Sequence, residues 1–279
     1  MTTTYQPAIP IWCAGCGHFG AQAAIDHALR VLEIPPHETM VLAGIGCSGT
    51  IQNNLGTYGY HALHGRVLPT ATGVHLANPD LTVIAAGGDG DGYAIGMGHL
   101  VHTLRRNPSF TYVVMNNGVY GLTKGQDSPA FQTADAGLDF DAVGLALSIA
   151  ATSFVARGFA RWSDQLNRLT VAALEHAREG RGFAFLEVLS PCVTYNDTYP
   201  QWEATVHDLD ATDHDPTDRT AAFDTVSRLG EMGRMAVGMI YRDESAPTPV
   251  EYRPHPAAAD VTPQANAEAY GAVLDRYRI

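Results

Sequence analysis

The sequence predicts an α/β fold in which a parallel sheet is covered by helices on both faces. Short apolar runs that break into glycine turns, at 39–47 and 81–92, are typical of buried strands. Segments of helical period, such as 18–32, alternate with these runs. The 279 residues are 46% apolar, which is enough for a substantial core. In a sheet of this kind, binding sites are expected at the carboxyl ends of the strands.

Most of the predicted elements lie before Cys192. In chain order they are a helix at 18–32, a strand at 39–47, a strand and glycine turn at 81–92, a helix at 94–107, a strand at 111–117, a buried helix at 142–156, a helix at 163–179, a strand at 183–189 and a further possible helix at 265–277. Pro35 and Pro36 end the first helix, because proline cannot continue its hydrogen bonding.

Beyond Cys192 the character of the chain changes. The run 208–220 is rich in aspartate and predicts a solvated loop, and the run 246–263 is rich in proline and alanine and predicts an extended chain. We therefore predict an α/β domain at 1–200 and a C-terminal extension at 201–279 that packs on this domain or on a partner subunit.

The composition argues against several classes of partner. There are 17 basic and 29 acidic residues, a net charge of −12, so the surface on average repels nucleic acid and anionic lipid. The first ten residues have neither the basic nor the apolar region of a secretory signal. The uncharged run 142–156 is too short to span a bilayer. These features predict a cytoplasmic protein that binds neither nucleic acid nor membrane.

Four cysteines, Cys13, Cys16, Cys47 and Cys192, raise the question of a metal site. A reducing compartment disfavours structural disulfides. Each cysteine stands at the end of a predicted element, so the four can meet at one edge of the sheet. Four thiolates can hold either zinc or a [4Fe–4S] cluster. Because zinc sites more often use two CxxC pairs and only one is present, the pattern modestly favours iron and sulfur.

The run 88-GDGDGYAIG-96 places an acidic residue among glycines between a strand and a helix. Backbone N–H groups in such a turn suit a phosphate, but Asp89 would repel it unless a divalent cation lay between them. Magnesium takes oxygen ligands, usually from carboxylates and substrate phosphates. Asn117, at the end of the next predicted strand, offers a second oxygen. The sequence therefore predicts a magnesium and phosphate site where these two turns meet.

A GDG turn followed at this spacing by an asparagine pair resembles the thiamine diphosphate signature. More widely, the chain from Trp12 to Cys192 resembles the beta subunit of the 2-oxoacid:ferredoxin oxidoreductases, especially the type that acts on 2-oxoglutarate. The segments that carry this resemblance are WCAGCGHF, GIGCSGT, HALHGRVLPTATGVHLANPDL, GGDGDGYAIGMGHLVHTLRRN, NNGVYGLTKGQDSP and LEVLSPC. Ala14 departs from the family, which often has proline there.

The resemblance implies a thiamine diphosphate-binding fold and a set of site residues. Magnesium would be held by Asp89, the Asn117 side chain and the Val119 carbonyl, and a [4Fe–4S] cluster by the four cysteines. The residues that match the family's cofactor contacts are Ile45, Gly46, Cys47, Ser48, His64, Gly90, Asp91, Gly121 and Leu122.

The implied reaction is the oxidative decarboxylation of a 2-oxoacid, with 2-oxoglutarate favoured, to acyl-CoA and CO₂, or the reverse carboxylation. Electrons pass through the cluster to ferredoxin. The implied partners are an alpha subunit, which supplies the glutamate that activates the cofactor, together with ferredoxin, the 2-oxoacid and coenzyme A.

Two residues are candidates for direct catalytic roles. His64 either binds the diphosphate or lines the reaction pocket, although a single histidine is often structural. Lys124 matches the position at which a cation could bind the distal carboxylate of 2-oxoglutarate, although a lysine in a turn usually faces solvent.

Two alternatives remain open. A thiamine diphosphate lyase or synthase without electron transfer would keep Asp89 and Asn117 and use the cysteines in a structural metal site. A zinc-stabilised interaction module would explain the cysteines but leave both glycine-flanked turns without a role.

Overall fold

An eight-stranded sheet forms the centre of the fold in this computed structural model, which describes residues 7–128, 140–245 and 261–278. The strands are β1 (Thr39–Ala43), β2 (Tyr58–His61), β3 (Thr82–Gly88), β4 (Thr111–Asn116), β5 (Val119–Tyr120), β6 (Gln126–Asp127), β7 (Phe154–Phe159), β8 (Ala184–Leu189), β9 (Val206–Asp208) and β10 (Met235–Arg242). The order in the large sheet is β2-β1-β3-β4-β8-β7-β10-β9, and β5 and β6 form a separate ribbon. Neighbours in the large sheet are parallel except for the antiparallel pair of β7 and β10. The predicted α/β fold is confirmed, with one antiparallel pair added.

Helices cover both faces of the sheet. The helices of the described residues are α1 (His18–Val31), α2 (Val67–Ala77), α3 (Met97–Arg106), α4 (Ala142–Ser148), α5 (Ser163–Arg178), α6 (Tyr199–Thr205), α7 (Arg219–Glu231) and α8 (Pro263–Asp275). Helices α1 and α5 bury residues such as Ile25 and Leu169 against one face. Helices α2, α3, α4 and α7 bury residues such as Leu100 and Val226 against the other. Because each such side chain contributes about 1.5 to 3 kcal/mol on burial, the two apolar layers hold the strand ends in fixed positions.

Local sequence signals set several helix ends. Asp141 caps α4 by accepting a hydrogen bond from the Val143 N–H, and Asp218 caps α7 in the same way. Asn107 ends α3 in the left-handed conformation, with φ of 50°. The aspartate-rich run predicted as a solvated loop therefore includes a residue that begins a helix.

The prediction of one buried helix at 142–156 is wrong in its second half. Helix α4 ends at Ser148, and β7 begins at Phe154. Strand β7 lies between β8 and β10, and all six of its residues are buried. A strand buried on both faces has no alternation of polar and apolar residues, so its sequence does not distinguish it from a buried helix.

The chain after residue 200 contributes to the same sheet. Strands β9 and β10 extend it beyond β7, and Trp202 packs with Phe159, Leu189 and Val237 in a small apolar cluster. The sequence analysis predicted none of these later elements except the helix now found as α8. The stretch 246–260, predicted to be extended, lies outside the described residues, and the division of the chain at residue 200 stays a prediction. None of the described helices is both long and apolar enough to cross a membrane.

Candidate functional site

A cavity of about 210 Å³ opens at the carboxyl ends of β1, β3 and β4. It lies where the strand order switches direction, since β2 is on one side of β1 and β3 is on the other. Ligands of α/β sheets bind at such switch points. The residues predicted to contact the cofactor all line this cavity, namely Ile45, Gly46, Cys47, Ser48, His64, Gly90, Asp91, Gly121 and Leu122.

Asp89 joins the turn after β3 to the turn after β4. Its buried Oδ1 accepts a hydrogen bond from the Asn117 backbone N–H at 3.1 Å, and Ser128 Oγ donates to Oδ2. The two turns meet because β3 and β4 are neighbouring parallel strands. The predicted magnesium ligands Asp89, Asn117 and Val119 therefore all lie in the wall of one cavity.

Ionisation of the Asp89 carboxyl group is unfavourable because the side chain is buried. Burial raises the pKa of Asp89 to about 6, although the hydrogen bonds from Ser128 and from the Asn117 N–H act in the opposite direction. Within the part of the chain that the structure describes, neither lysine nor arginine pairs with this carboxylate. A divalent cation is the kind of partner that offsets a buried negative charge of this type.

The asparagine pair shapes the turn after β4. Asn117 Oδ1 accepts a hydrogen bond from the Val119 N–H, and Asn116 Oδ1 accepts one from the Gly118 N–H, each at 3.1 Å. Asn196 Nδ2 donates to the Asn117 carbonyl at 2.9 Å. Both asparagine side chains thus fold the backbone back on itself, which fixes the direction of the turn.

A buried ion pair supports this turn from behind. Glu187 Oε1 accepts hydrogen bonds from Asn116 Nδ2 at 3.0 Å and from the Tyr93 hydroxyl at 2.8 Å, while Glu187 Oε2 accepts one from Arg157 Nε. Arg157 also reaches the half-exposed Asp141 at 3.2 Å. Burial and the Glu187 charge raise the pKa of Tyr93 well above its ordinary value, so the phenol stays protonated and can donate. The Glu187 carboxylate, which lies on β8, therefore holds both the turn after β3, through Tyr93, and the turn after β4, through Asn116.

His64 and Lys124, the two predicted catalytic candidates, differ in their position. His64 lies in the cavity wall, with Nδ1 2.9 Å from Asp91 Oδ1 and its ring edge-on to Tyr120. Lys124 is exposed, follows the lining residue Thr123, and is not itself part of the lining. Its φ of 73° is unusual for a residue other than glycine. It is also the only lysine in the sequence.

Segments distant in the sequence bring the four cysteines towards one another. The Gly17 N–H donates to the Pro191 carbonyl at 3.0 Å, which holds the CxxC segment against the chain before Cys192. A Cβ on Gly17 would lie only 2.6 Å from the Ser190 backbone, so glycine is required for this approach. A Cβ on Gly121 would lie 3.3 Å from Cys47 Sγ and 3.9 Å from Cys192 Sγ. These last two thiols therefore face the same cavity-lining glycine.

The thiols also affect each other electrostatically. Burial raises the pKa of Cys16 to about 11, the His18 N–H lowers it, and the other three cysteines raise it further. Burial, followed by Cys192 and Cys13, also raises the pKa of Cys47. All four are free thiols. Among residues 7–128, 140–245 and 261–278, no three His, Cys, Asp or Glu side chains form a group that could hold a metal ion, so ligation by the cysteines stays a prediction.

Sequence reasoning missed two large side chains in the cavity wall, His18 and Tyr120. His18 is fully buried, with Nδ1 2.6 Å from Ser190 Oγ, and burial lowers the pKa of His18 to about 4. The Tyr120 ring packs against Gly90. Each lies in a segment that carries the family resemblance, but no spacing rule assigned a role to either residue.

Two protein families match the chain. Residues 39–188 match the thiamine pyrophosphate enzyme C-terminal TPP binding domain. Residues 192–255 match the C-terminal region of the pyruvate ferredoxin oxidoreductase beta subunit. The first match runs from β1 into β8 and includes every residue that lines the cavity except His18.

Individual relatives belong to the same group of enzymes as the second family. The chain is 40% identical over 253 residues to 2-oxoacid:ferredoxin oxidoreductase 1, subunit beta, of Aeropyrum pernix, covering 82% of this chain and 77% of the relative. It is 40% identical over 195 residues to 2-oxoglutarate oxidoreductase subunit KorB of Mycobacterium tuberculosis, covering 67% of this chain and 51% of the relative. The solved 2-oxoglutarate:ferredoxin oxidoreductase of Magnetococcus marinus, with 2-oxoglutarate, coenzyme A and succinyl-CoA bound, superposes with a TM-score of 0.79 at 32% identity. This superposition covers 98% of this chain and 89% of the solved one.

Proposed function

The chain belongs to the beta subunits of the 2-oxoacid:ferredoxin oxidoreductases, and on that premise we propose that it carries the thiamine diphosphate, magnesium and [4Fe–4S] sites of such an enzyme. The proposed reaction converts a 2-oxoacid and coenzyme A into acyl-CoA and CO₂ and passes electrons to ferredoxin, or runs in reverse. The proposed substrate is 2-oxoglutarate, and the proposed location is the cytoplasm, where a reducing environment keeps thiols available for iron.

The observation that carries this proposal is that Cys47 belongs to both candidate sites. Its turn lines the cavity, and its Sγ faces Gly121 together with Cys192 Sγ. A group in the cavity and a cluster on the four thiols would therefore be separated only by this turn. Such proximity is what electron transfer between them requires, and neither alternative reading gives a reason for it.

The residues present fit the proposed cofactor. Asp89 is a buried carboxylate that lacks a cationic side-chain partner in the described chain, and Asn117 and Val119 add oxygen atoms in the same wall. When bound, thiamine diphosphate supplies the electron sink for decarboxylation, and the cluster accepts electrons singly. The turns after β1, β3 and β4 would bind and orient the diphosphate through backbone N–H groups. Apolar side chains at Ile45 and Leu122 would limit access of water.

The proposal also requires a second subunit. Leu122 lines the cavity and yet is 63% exposed, and the nearby wall residue His64 is also partly exposed. The cavity is therefore open on this side. An alpha subunit covering it would exclude water from the reaction and supply the catalytic groups that the cavity wall lacks.

The metal content tests the electron-transfer part of the proposal. Purified anaerobically with its partner subunit, the protein is expected to contain about four irons per chain, because a single four-thiolate cluster requires that number. Substitution Cys192→Ala should remove or convert the cluster and change the EPR spectrum of the reduced protein.

Thr194→Val provides the control, because Thr194 donates to Cys13 Sγ at 3.1 Å but is not a proposed ligand. This variant should keep its iron. Stoichiometric zinc without iron in the wild-type protein would contradict the electron-transfer reaction and favour a structural role for the cysteines.

Lys124 tests the proposed substrate. Lys124→Gln is expected to raise KM for 2-oxoglutarate by roughly tenfold to a hundredfold, the usual value of a charge-assisted hydrogen bond, and to leave KM for pyruvate unchanged. Lys124→Arg keeps the charge, and its KM for 2-oxoglutarate should lie between the values of the wild type and of Lys124→Gln. Because no other lysine is present, an amine-reactive reagent read out on the Lys124 peptide should also show protection by 2-oxoglutarate. Equal effects on both substrates, or no protection, would mean that Lys124 does not bind the distal carboxylate of 2-oxoglutarate.

A further inference from the structure

Asp91 connects three segments around the cavity through one oxygen atom. Its Oδ1 accepts hydrogen bonds from the Ile45 N–H at 2.9 Å, the Gly65 N–H at 2.8 Å and His64 Nδ1 at 2.9 Å. The Asp91 side chain has no exposed surface. It therefore holds the turn after β1 and the 64–65 turn in one arrangement, and His64 is the titratable partner in that set.

This contact determines which nitrogen of His64 is available. Asp91 Oδ1 is an acceptor in all three hydrogen bonds, so His64 Nδ1 must carry a proton and donate it. In the neutral ring, Nε2 is then the acceptor. Within the described residues Nε2 makes no hydrogen bond, although the ring lies in the cavity wall. The edge-on contact with Tyr120 further restricts rotation of the ring.

The second oxygen of Asp91, Oδ2, and the Tyr112 hydroxyl both lie beside Gly87. Both atoms are buried without a hydrogen-bond partner, and both lie about 3 Å from the position of a Cβ on Gly87, at 3.1 Å and 3.0 Å. Their shared position beside Gly87 allows a single water molecule to bridge them.

We propose that Asp91 is a positioning residue, not a direct cofactor contact, and that it turns His64 Nε2 into the cavity as the atom that contacts bound cofactor or substrate. This inference rests on the proposed function, because it assumes that the cavity binds thiamine diphosphate and a 2-oxoacid. His64 is then the residue that touches the ligand. Asp91 contributes to the reaction through the orientation of His64 and to folding through the two backbone contacts.

A double-mutant cycle separates these two contributions. Asp91→Asn keeps an oxygen for the backbone N–H groups of Ile45 and Gly65 but removes the charge that orients the imidazole. In the wild-type background it is expected to lower kcat on the order of tenfold, the difference between a charged and a neutral hydrogen bond. In the His64→Ala background it should cause no further loss. Thiamine diphosphate affinity, measured by calorimetry on the complex with the partner subunit, and the melting temperature should change little with Asp91→Asn.

Variants of His64 itself test the assignment of Nε2. His64→Asn can still donate to Asp91 but does not reach the cavity, so it should be as slow as His64→Ala. His64→Gln places an amide near the position of Nε2 and should recover part of the rate. His61→Asn is the matched control, because His61 is an exposed histidine on β2 that does not line the cavity.

The outcomes are distinct. The inference is wrong if Asp91→Asn lowers kcat by the same factor in both backgrounds, or if it lowers kcat in neither. It is also wrong if His64→Asn is as active as the wild type. A wild-type complex that fails to bind thiamine diphosphate, or that reduces no electron acceptor with any 2-oxoacid, would instead overturn the proposed function, whatever the variants do.

Discussion

Asp89→Asn is expected to abolish the binding of magnesium and thiamine diphosphate while making the metal-free protein more stable. The carboxylate is buried, and its pKa rises from an ordinary 3.8 to about 6, which corresponds to about 3 kcal/mol against ionisation. Asparagine keeps hydrogen bonds to the Asn117 N–H and to Ser128 without the charge. Calorimetry with thiamine diphosphate and magnesium, and thermal unfolding of the cofactor-free complex, measure the two effects.

The stability effect has a defined pH dependence. Because the folded-state pKa of Asp89 is raised, the protonated carboxyl contributes stability that is fully present below pH 3.8 and is lost as pH rises through about 6. The melting temperature of Asp89→Asn should therefore approach that of the wild type near pH 4 and exceed it by several degrees near pH 8. Saturating magnesium and thiamine diphosphate should stabilise only the wild type.

Asp127→Asn serves as the control, because Asp127 is an exposed carboxylate on the neighbouring ribbon strand β6. It should change neither cofactor affinity nor the pH dependence. Wild-type affinity in Asp89→Asn would mean that Asp89 is not a magnesium ligand. A variant less stable than the wild type at pH 8 would mean that the carboxylate is stabilised in the folded protein by a group other than the bound metal.

The sequence was sufficient to predict the cavity because its walls are local features. Three of the walls are glycine turns directly after the apolar strands β1, β3 and β4, and parallel strands place such turns at one edge of the sheet. The adjacency of Asp89 and Asn117 follows from the pairing of β3 with β4, which are consecutive in the large sheet. The approach of Cys47 to Cys192 was expected for the same reason, since each lies beyond the end of a strand.

Features that depend on long-range contacts could not be read from the sequence. Strand β7 resembles a helix because both of its faces are buried. Strand β10 runs antiparallel to β7, and no turn motif in the sequence predicts this reversal of strand direction. The pairing of Arg157 with Glu187 joins two neighbouring strands across thirty positions, and an apolar strand that contains one glutamate gives no indication of its partner. The left-handed conformation of Lys124 likewise depends on the closure of the β5–β6 ribbon.

Glu187→Ala is expected to destabilise the protein by roughly 3 to 5 kcal/mol, because it leaves the buried Arg157 guanidinium with only the half-exposed Asp141 as a partner. Arg157 is 7% exposed and Glu187 is 2% exposed, so water does not replace the lost partner. The substitution also removes the acceptor for Asn116 and Tyr93, which hold the two cavity turns. Thermal unfolding should show a large loss of stability, and thiamine diphosphate affinity should fall in the variant that remains folded.

Two further variants identify the cause. Asp141→Asn removes the half-exposed partner of the same arginine and should cost no more than about 1 kcal/mol, as exposed pairs usually do. The double variant Arg157→Met, Glu187→Gln removes both charges while the glutamine oxygen still accepts from Asn116 and Tyr93. It should therefore be more stable than Glu187→Ala, because an unpaired buried charge costs more than a missing ion pair. Equal losses in Asp141→Asn and Glu187→Ala would show that the buried pair does not support the cavity turns, and their geometry would then depend on the backbone alone.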